Sequence, residues 1–260
     1  FFGGSTMYGI GTPWQDSIPS YFTKLMSQKD ICIKAVNYGV PHHNSEVEIK
    51  KFINLIFNYP VNFPDYVFFL DGLNDVAGPG AFIRGEPFNT PLINYQLGKS
   101  NINDLYTFKF PVTIELELVN YLRRKFRNSS SYYRNNQLPV GYTEDKLPDI
   151  YQNKFNKSHK FLNKFCTTFN VKCYTILQPV PYIDFPNFRK DEITNACVSD
   201  SIEKRFKSIY EVLRKKVFRD KNYKYLSSYD LSPIFKEYSN GIPYVDCGHY
   251  SPRASKKIAE

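Results

Sequence analysis

Residues 64–70 read Pro-Asp-Tyr-Val-Phe-Phe-Leu, a nearly continuous apolar run of strand length. A strand with one wet face would alternate apolar with polar residues, so a run like this predicts a strand covered on both faces. Sheets covered on both faces are built from strands that alternate with helices, and the rest of the chain keeps that alternation. Ile31–Tyr38, Val171–Val180 and, more weakly, Tyr223–Leu231 are further apolar runs bounded by turn residues. A short segment before Gly3 would add a fifth strand.

Helical spacing fills the intervals. Ile18, Tyr21, Phe22, Leu25 and Met26 form one apolar stripe, and residues 47–57 give another. Tyr151, Phe155, Leu162, Phe165, Cys166 and Phe169 recur at the same period, as do Ile202, Phe206, Ile209, Tyr210, Leu213 and Val217. The expected architecture is a three-layer α/β/α, flavodoxin-like sandwich around a mostly parallel sheet of about five strands. The 260 residues suit one such domain, burying roughly 70–75% of the unfolded chain's surface. Residues 76–149 are expected to be an insertion that shapes the substrate pocket. Within it, 111–127 fits a helix opened by Pro111, and the Gly, Pro, Asn, Ser and Tyr around it give no periodic apolar pattern.

The charge pattern argues against nucleic acid. The chain carries a net charge of +9, which attracts anions at long range. Its densest basic runs, Arg123, Arg124, Lys125 and Arg127, then Arg214, Lys215, Lys216 and Arg219, fall on amphipathic stretches and read as solvated helix faces. No nucleic-acid-binding motif accompanies them. The heavy use of Tyr (21) and Phe (22) is read mainly as compositional habit.

Cys32, Cys166, Cys173, Cys197 and Cys247 include no Cys-x-x-Cys pair, so no structural zinc site is expected. Buried free thiols are the expected state, with a Cys197–Cys247 disulfide as the alternative. His42 and His43 lack a third ligand at a recognised spacing and are read as an exposed loop near the site. No metal and no cofactor is expected. No apolar run reaches the roughly 18 residues of a membrane span, and a leader or membrane anchor outside this segment stays possible. Compartment and oligomeric state stay open.

Chemistry-bearing residues cluster in four short signatures: Gly3-Gly4-Ser5-Thr6, Asn37-Tyr38-Gly39, Gly72-Leu73-Asn74-Asp75 and Asp246-Cys247-Gly248-His249. Taken singly, each has a plain reading as a turn, cap or structural histidine. The first three are expected at the carboxyl ends of strands, where open parallel sheets bind ligands. A serine, an Asp/His pair and amide donors are the parts of a nucleophilic acyl-transfer site.

In order and spacing the four signatures resemble those of the SGNH hydrolases, the GDSL-type esterases and lipases. The resemblance spans residues 3–249. It implies Ser5 as nucleophile, His249 and Asp246 as base and orienter, and an oxyanion hole of the Ser5 and Gly39 amides with the Asn74 side chain. Gly72 and Asp75 would support the third signature, and Gln178-Pro179 looks like a common variant after a strand. One departure is visible: Gly4 stands where the name-giving form has Asp. The implied activity is cleavage of carboxylic esters on small molecules or polysaccharides, including deacetylation of a carbohydrate. Acyl transfer through the same site, or a catalytically silent carbohydrate-binding or scaffold module, are the alternatives. Loss of Ser5, Asn74 or His249 would favour the silent module, and none is lost.

Overall fold

A computed structural model of the chain describes residues 1–58, 63–86, 138–185, 199–219, 223–239 and 241–260. Among these, four parallel strands form one sheet in the order β1 (Phe2–Gly3), β2 (Tyr66–Asp71), β3 (Lys172–Leu177) and β4 (Leu226–Asp230). The helices are α1 (Ser5–Tyr8), α2 (Ile18–Ser27), α3 (Ser45–Asn58), α4 (Leu73–Ala77) and α5 (Pro79–Arg84). Three more follow: α6 (Leu147–Thr168), α7 (Asp200–Lys216) and α8 (Pro252–Ala259).

The pleat divides the strand residues between two covered faces. On one, Phe2, Val67, Phe69, Cys173 and Leu226 meet Ile49, Phe52 and Ile56 of α3 and Leu162 and Cys166 of α6. On the other, aromatic rings stack from strand to strand, Phe1 on Phe68 and Phe68 on Tyr174 with centroids 4.8 Å apart, and Phe22 of α2 closes over Phe1 and Phe68. Cross-strand pairs of this kind stabilise a sheet by roughly 0.2–1 kcal/mol each. These aromatic residues therefore have a packing role here. Helix α8 packs against α2 on this side. The three-layer α/β architecture is thus the one expected from the alternation of runs.

Helix boundaries follow local chemistry. Asn44 Oδ1 accepts the Val47 N–H ahead of α3, Ser199 caps α7 through Ile202 N–H, and Ser251 caps α8 through Ala254 N–H. Proline sits in the first turn of α2, α5, α6 and α8, where no N–H is needed.

Three expectations change. Ile31–Tyr38 is not a strand. It runs beside β1 at the sheet edge, tied by three backbone bonds: Phe1 N to Val36 O, Tyr38 N to Phe1 O and Val40 N to Gly3 O. Since β1 has two residues, the ladder is too short to order the whole run, and Ile31 and Val36 stay exposed. The buried free thiols are also corrected. Cys166 at the end of α6 is joined to Cys173 of β3, Cys247 is disulfide-bonded, and Cys32 is free but exposed. Third, His42 and His43 are half-buried rather than exposed.

The expected helix over 111–127, the first basic run and Cys197 lie outside the described residues. So does most of the 76–149 segment; of its ends, Val76, Phe82 and Leu147 are buried in the main core. Of the second basic run, Arg214, Lys215 and Lys216 lie on α7, where Lys215 pairs with Glu211 and Arg214 bridges Asp184 and Asp230, while Arg219 is exposed beyond its end. Among the described residues no helix is long and apolar enough to cross a membrane.

Candidate active site

The site is assembled at the carboxyl ends of β1 and β2. Ser5 opens α1 directly after β1, so its N–H has no intrahelical acceptor. Its hydroxyl lies 2.7 Å from His249 Nε2. On the far side of the ring, His249 Nδ1 lies 2.5 Å from Asp246 Oδ2. The loop that carries both residues is held by Asp246 itself, whose Oδ1 accepts the N–H groups of Gly248 and His249 at 3.0 and 2.8 Å. Burial alone would raise the Asp246 carboxyl. The hydrogen bonds from the His249 ring, from the His249 N–H and from the Gly248 N–H outweigh it and bring the group down to about 2. Asp246 is therefore ionised at neutral pH and fixes the Nδ1–H tautomer of His249, leaving Nε2 to accept from Ser5.

Asn74 reaches the same place from α4. Its Nδ2 donates to the His43 carbonyl at 2.7 Å, and a second N–H remains on the same nitrogen. The residue at position 4 has to leave room for it: a Cβ there would stand 2.2 Å from Asn74 Nδ2. Glycine at position 4 leaves that space open.

The turn before Asn74 is built by Gly72 and Asp75. Gly72 has φ of +125°, a conformation open to glycine, and a Cβ would meet the Tyr210 hydroxyl at 2.4 Å. Asp75 Oδ2 accepts the Gly72 N–H at 2.9 Å, while Oδ1 accepts the Ser45 N–H and hydroxyl at 3.1 and 2.6 Å. Tyr151 donates to the Asp75 carbonyl. One buried carboxylate thus locks the Asn74 turn to the start of α3.

Gly39 is placed beside α1, but its N–H is already donated to Asn37 Oδ1 at 2.9 Å. That donor is not free in this structure. Asn37 in turn donates to the Met7 carbonyl at 2.8 Å.

The histidine pair borders the site. His42 has left-handed backbone, φ of +67°, unusual for a side chain with a Cβ. Burial, then the neighbouring His249, lower its pKa; burial, Lys51 and His42 lower His43 to about 4. Both are neutral at pH 7.

Sequence reasoning singled out the Asn37-Tyr38-Gly39 turn but not the hold of Asn37 on the Gly39 N–H, and it missed Ser45 and the buried acids Glu48 and Asp71. Glu48 packs at 2% exposure and Asp71 at 5%, with the protonated Glu48 carboxyl donating to Asp71. Burial first, then the nearby carboxylates, push both well above the usual carboxylate range. A signal was present: Glu48 sits four residues before Phe52 on the apolar stripe of α3, an odd place for a charge.

No protein-family model matches the chain, and no curated protein matches it. Among solved structures, the acetyl xylan esterase AlAXEase is 12% identical over 99% of this chain and 94% of its own, with a TM-score of 0.45. LAE5, an alpha/beta hydrolase from the metagenome of Lake Arreo, Spain, is 13% identical over 99% of this chain and 89% of its own, also at 0.45. A variant of Axe2, an acetyl xylan esterase from Geobacillus stearothermophilus, is 12% identical over 100% of this chain and 89% of its own, again at 0.45. Likeness at this level carries no inference about what this chain does.

Proposed function

We propose that this chain is a serine ester hydrolase of the SGNH type, working through an acyl-enzyme on Ser5. The observation that carries the reading is the run of contacts Ser5 Oγ–His249 Nε2–Asp246, at 2.7 and 2.5 Å, on an ionised Asp246. A serine hydroxyl is unreactive at neutral pH until a base takes its proton. Ser5 Oγ would attack the ester carbonyl as His249 Nε2 accepts that proton, while Asp246 stabilises the imidazolium. Collapse of the tetrahedral adduct expels the alcohol, protonated by His249, and leaves the acyl group on Ser5. A water, deprotonated by His249, then releases the acid and restores Ser5.

The developing oxyanion is assigned to the Ser5 N–H and the second N–H of Asn74 Nδ2. Gly39 would join them only by releasing Asn37. The domain is proposed to be a single catalytic unit with its insertion within 76–149, and a carbohydrate ester is the proposed substrate.

Covalent labelling by a fluorophosphonate probe together with p-nitrophenyl acetate turnover tests the chemistry. Label and turnover should both appear in the wild type and vanish in Ser5→Ala. Equal rates in the two proteins would sink the assignment.

A further inference from the structure

Asn74 lies on a seam between the start of α3 and the end of β2, and side-chain contacts cross that seam in sequence. Asn74 Nδ2 donates to the His43 carbonyl at 2.7 Å, and Asp75 Oδ1 accepts the Ser45 N–H and hydroxyl at 3.1 and 2.6 Å. The next contact joins two acids, Glu48 one turn further into α3 and Asp71 at the last position of β2. The bonds of Asn74 and Ser45 pair a donor with an acceptor through neutral and alkaline pH. The contact between the acids has a donor only while Glu48 keeps its proton.

The surroundings do not replace that proton. Glu48 and Asp71 are buried, and Glu48 Oε2 and Asp71 Oδ1 have no hydrogen-bond partner among the described residues. A carboxylate left unpaired in the interior costs far more than a neutral acid. Burial first, then Asp71 and Asp75, hold Glu48 well above the usual carboxylate range; burial and then Asp75 do the same for Asp71. Lys51, on the same helix, pulls Glu48 the other way and is outweighed. The Phe1 amino group faces Glu48 from β1, but burial lowers it to about 6, so it is uncharged in alkaline solution. Tyr151 of α6 and Tyr210 of α7 face the acids as neutral hydroxyls, raised well above the ordinary phenol range by burial. Deprotonation of Glu48 therefore opposes two carboxylates across the seam, with Asp75 as a third beside them.

We propose that Glu48 and Asp71 are positioning residues for Asn74, and that the proton held between them couples this oxyanion donor to alkaline pH. The effect on rate rests on the ester-hydrolase reading of Ser5. With the proton in place, α3 and β2 are drawn together and the His43 carbonyl holds Asn74 against the Gly4–Ser5 turn. When hydroxide takes the proton, the like charges push the two elements apart where Asn74 is anchored. An oxyanion donor acts on the transition state rather than on bound substrate, so the loss falls on kcat.

Initial rates on p-nitrophenyl acetate, corrected for spontaneous hydrolysis, are measured from pH 7 to pH 9.5 in the wild type, Glu48→Gln and Asn74→Ala, with circular dichroism at each pH. The wild-type kcat should fall reversibly by about 10-fold or more, with KM moving less than about 3-fold. Glutamine at 48 donates to Asp71 at every pH, so Glu48→Gln should hold its kcat flat; Asp71→Asn, donating from the other side of the seam, makes the same test. Asn74→Ala has no donor to lose and should be flat as well, which separates the effect from general alkaline unfolding. A flat wild-type profile, a decline retained in either variant, or a change confined to KM overturns the proposal. The proton is also read without turnover. Infrared difference spectra of wild type against Glu48→Gln should show a protonated carboxyl at pH 7 that is gone at pH 9.5. The Asn74 side-chain amide, assigned by its absence in Asn74→Ala, should shift in the NMR spectrum with the same midpoint. Absent p-nitrophenyl acetate turnover in the wild type counts against the hydrolase reading alone and leaves these spectra to decide the pair; an ionised Glu48 at pH 7 or an unmoved amide overturns it.

Discussion

Gly4 and Asn74 occupy one space: the Asn74 side-chain nitrogen stands 2.2 Å from where a Cβ on residue 4 would be. Glycine at position 4 and the placing of the proposed oxyanion donor are therefore linked. Under the proposed chemistry, Gly4→Asp should push Asn74 off its bond to His43 and lower kcat by about 10²–10³-fold, the cost of one lost oxyanion donor. Steady-state kinetics on p-nitrophenyl acetate check this. Asn74→Ala should give a similar loss, and the two changes combined should cost little more than either alone.

Asp246→Asn should leave the fold intact and reduce kcat on the order of 10⁴-fold, because the imidazole loses the partner that fixes its tautomer. A stability effect accompanies it. The folded carboxyl titrates at about 2 against an ordinary 3.8, so its contribution is present above 3.8 and lost as pH falls towards 2. Thermal unfolding between pH 5 and 2 should show the wild type losing more stability than the variant over that interval.

The Glu48–Asp71 pair predicts the opposite slope. Both groups hold their protons more tightly when folded than when unfolded, so the stability they give is complete below the ordinary values, 3.8 for Asp71 and 4.5 for Glu48, and drains away as pH rises. Asp75 and Lys51 face the same cluster and act on it in opposite senses. Glu48→Gln keeps the hydrogen-bonding shape without the charge, so its Tm advantage over the wild type should widen from pH 5 to pH 9. A constant difference across that range would remove the pair's titration from the account.

Cys166 and Cys173 close a short loop, with a sequence separation of 7, between the end of α6 and β3. Chain-entropy arguments give such a loop about 2–3 kcal/mol. Replacing both cysteines by alanine should lower the unfolding free energy in urea by roughly that much, with the site chemistry unchanged. An unchanged midpoint would place the stabilisation elsewhere.

Legibility in the sequence followed the kind of interaction involved. The run at 64–70 announced β2 because burial on both faces leaves a one-dimensional trace, and the stripes of α2, α3, α6 and α7 did so by period. Ser5, Asn74, Asp246 and His249 stood out because short fixed spacings carry them. What stayed hidden depends on contacts between distant segments. Ile31–Tyr38 has strand composition, but strand formation needs a neighbour of matching length, and β1 offers two residues. The Gly39 N–H looked like a donor in waiting until Asn37, two residues away, was seen to hold it. Nothing in the spacing of Cys166 and Cys173 distinguished two thiols from one bridge, and only the meeting of α6 with β3 decides it.

The bond from His249 to Ser5 joins positions 244 apart in sequence. The contact therefore needs both β1 and the loop before α8 in place on the sheet. Under the proposed chemistry, turnover would report that long-range closure as well as the site itself. Fraying of α8 or its preceding loop should then lower turnover more than it lowers the core signal in circular dichroism.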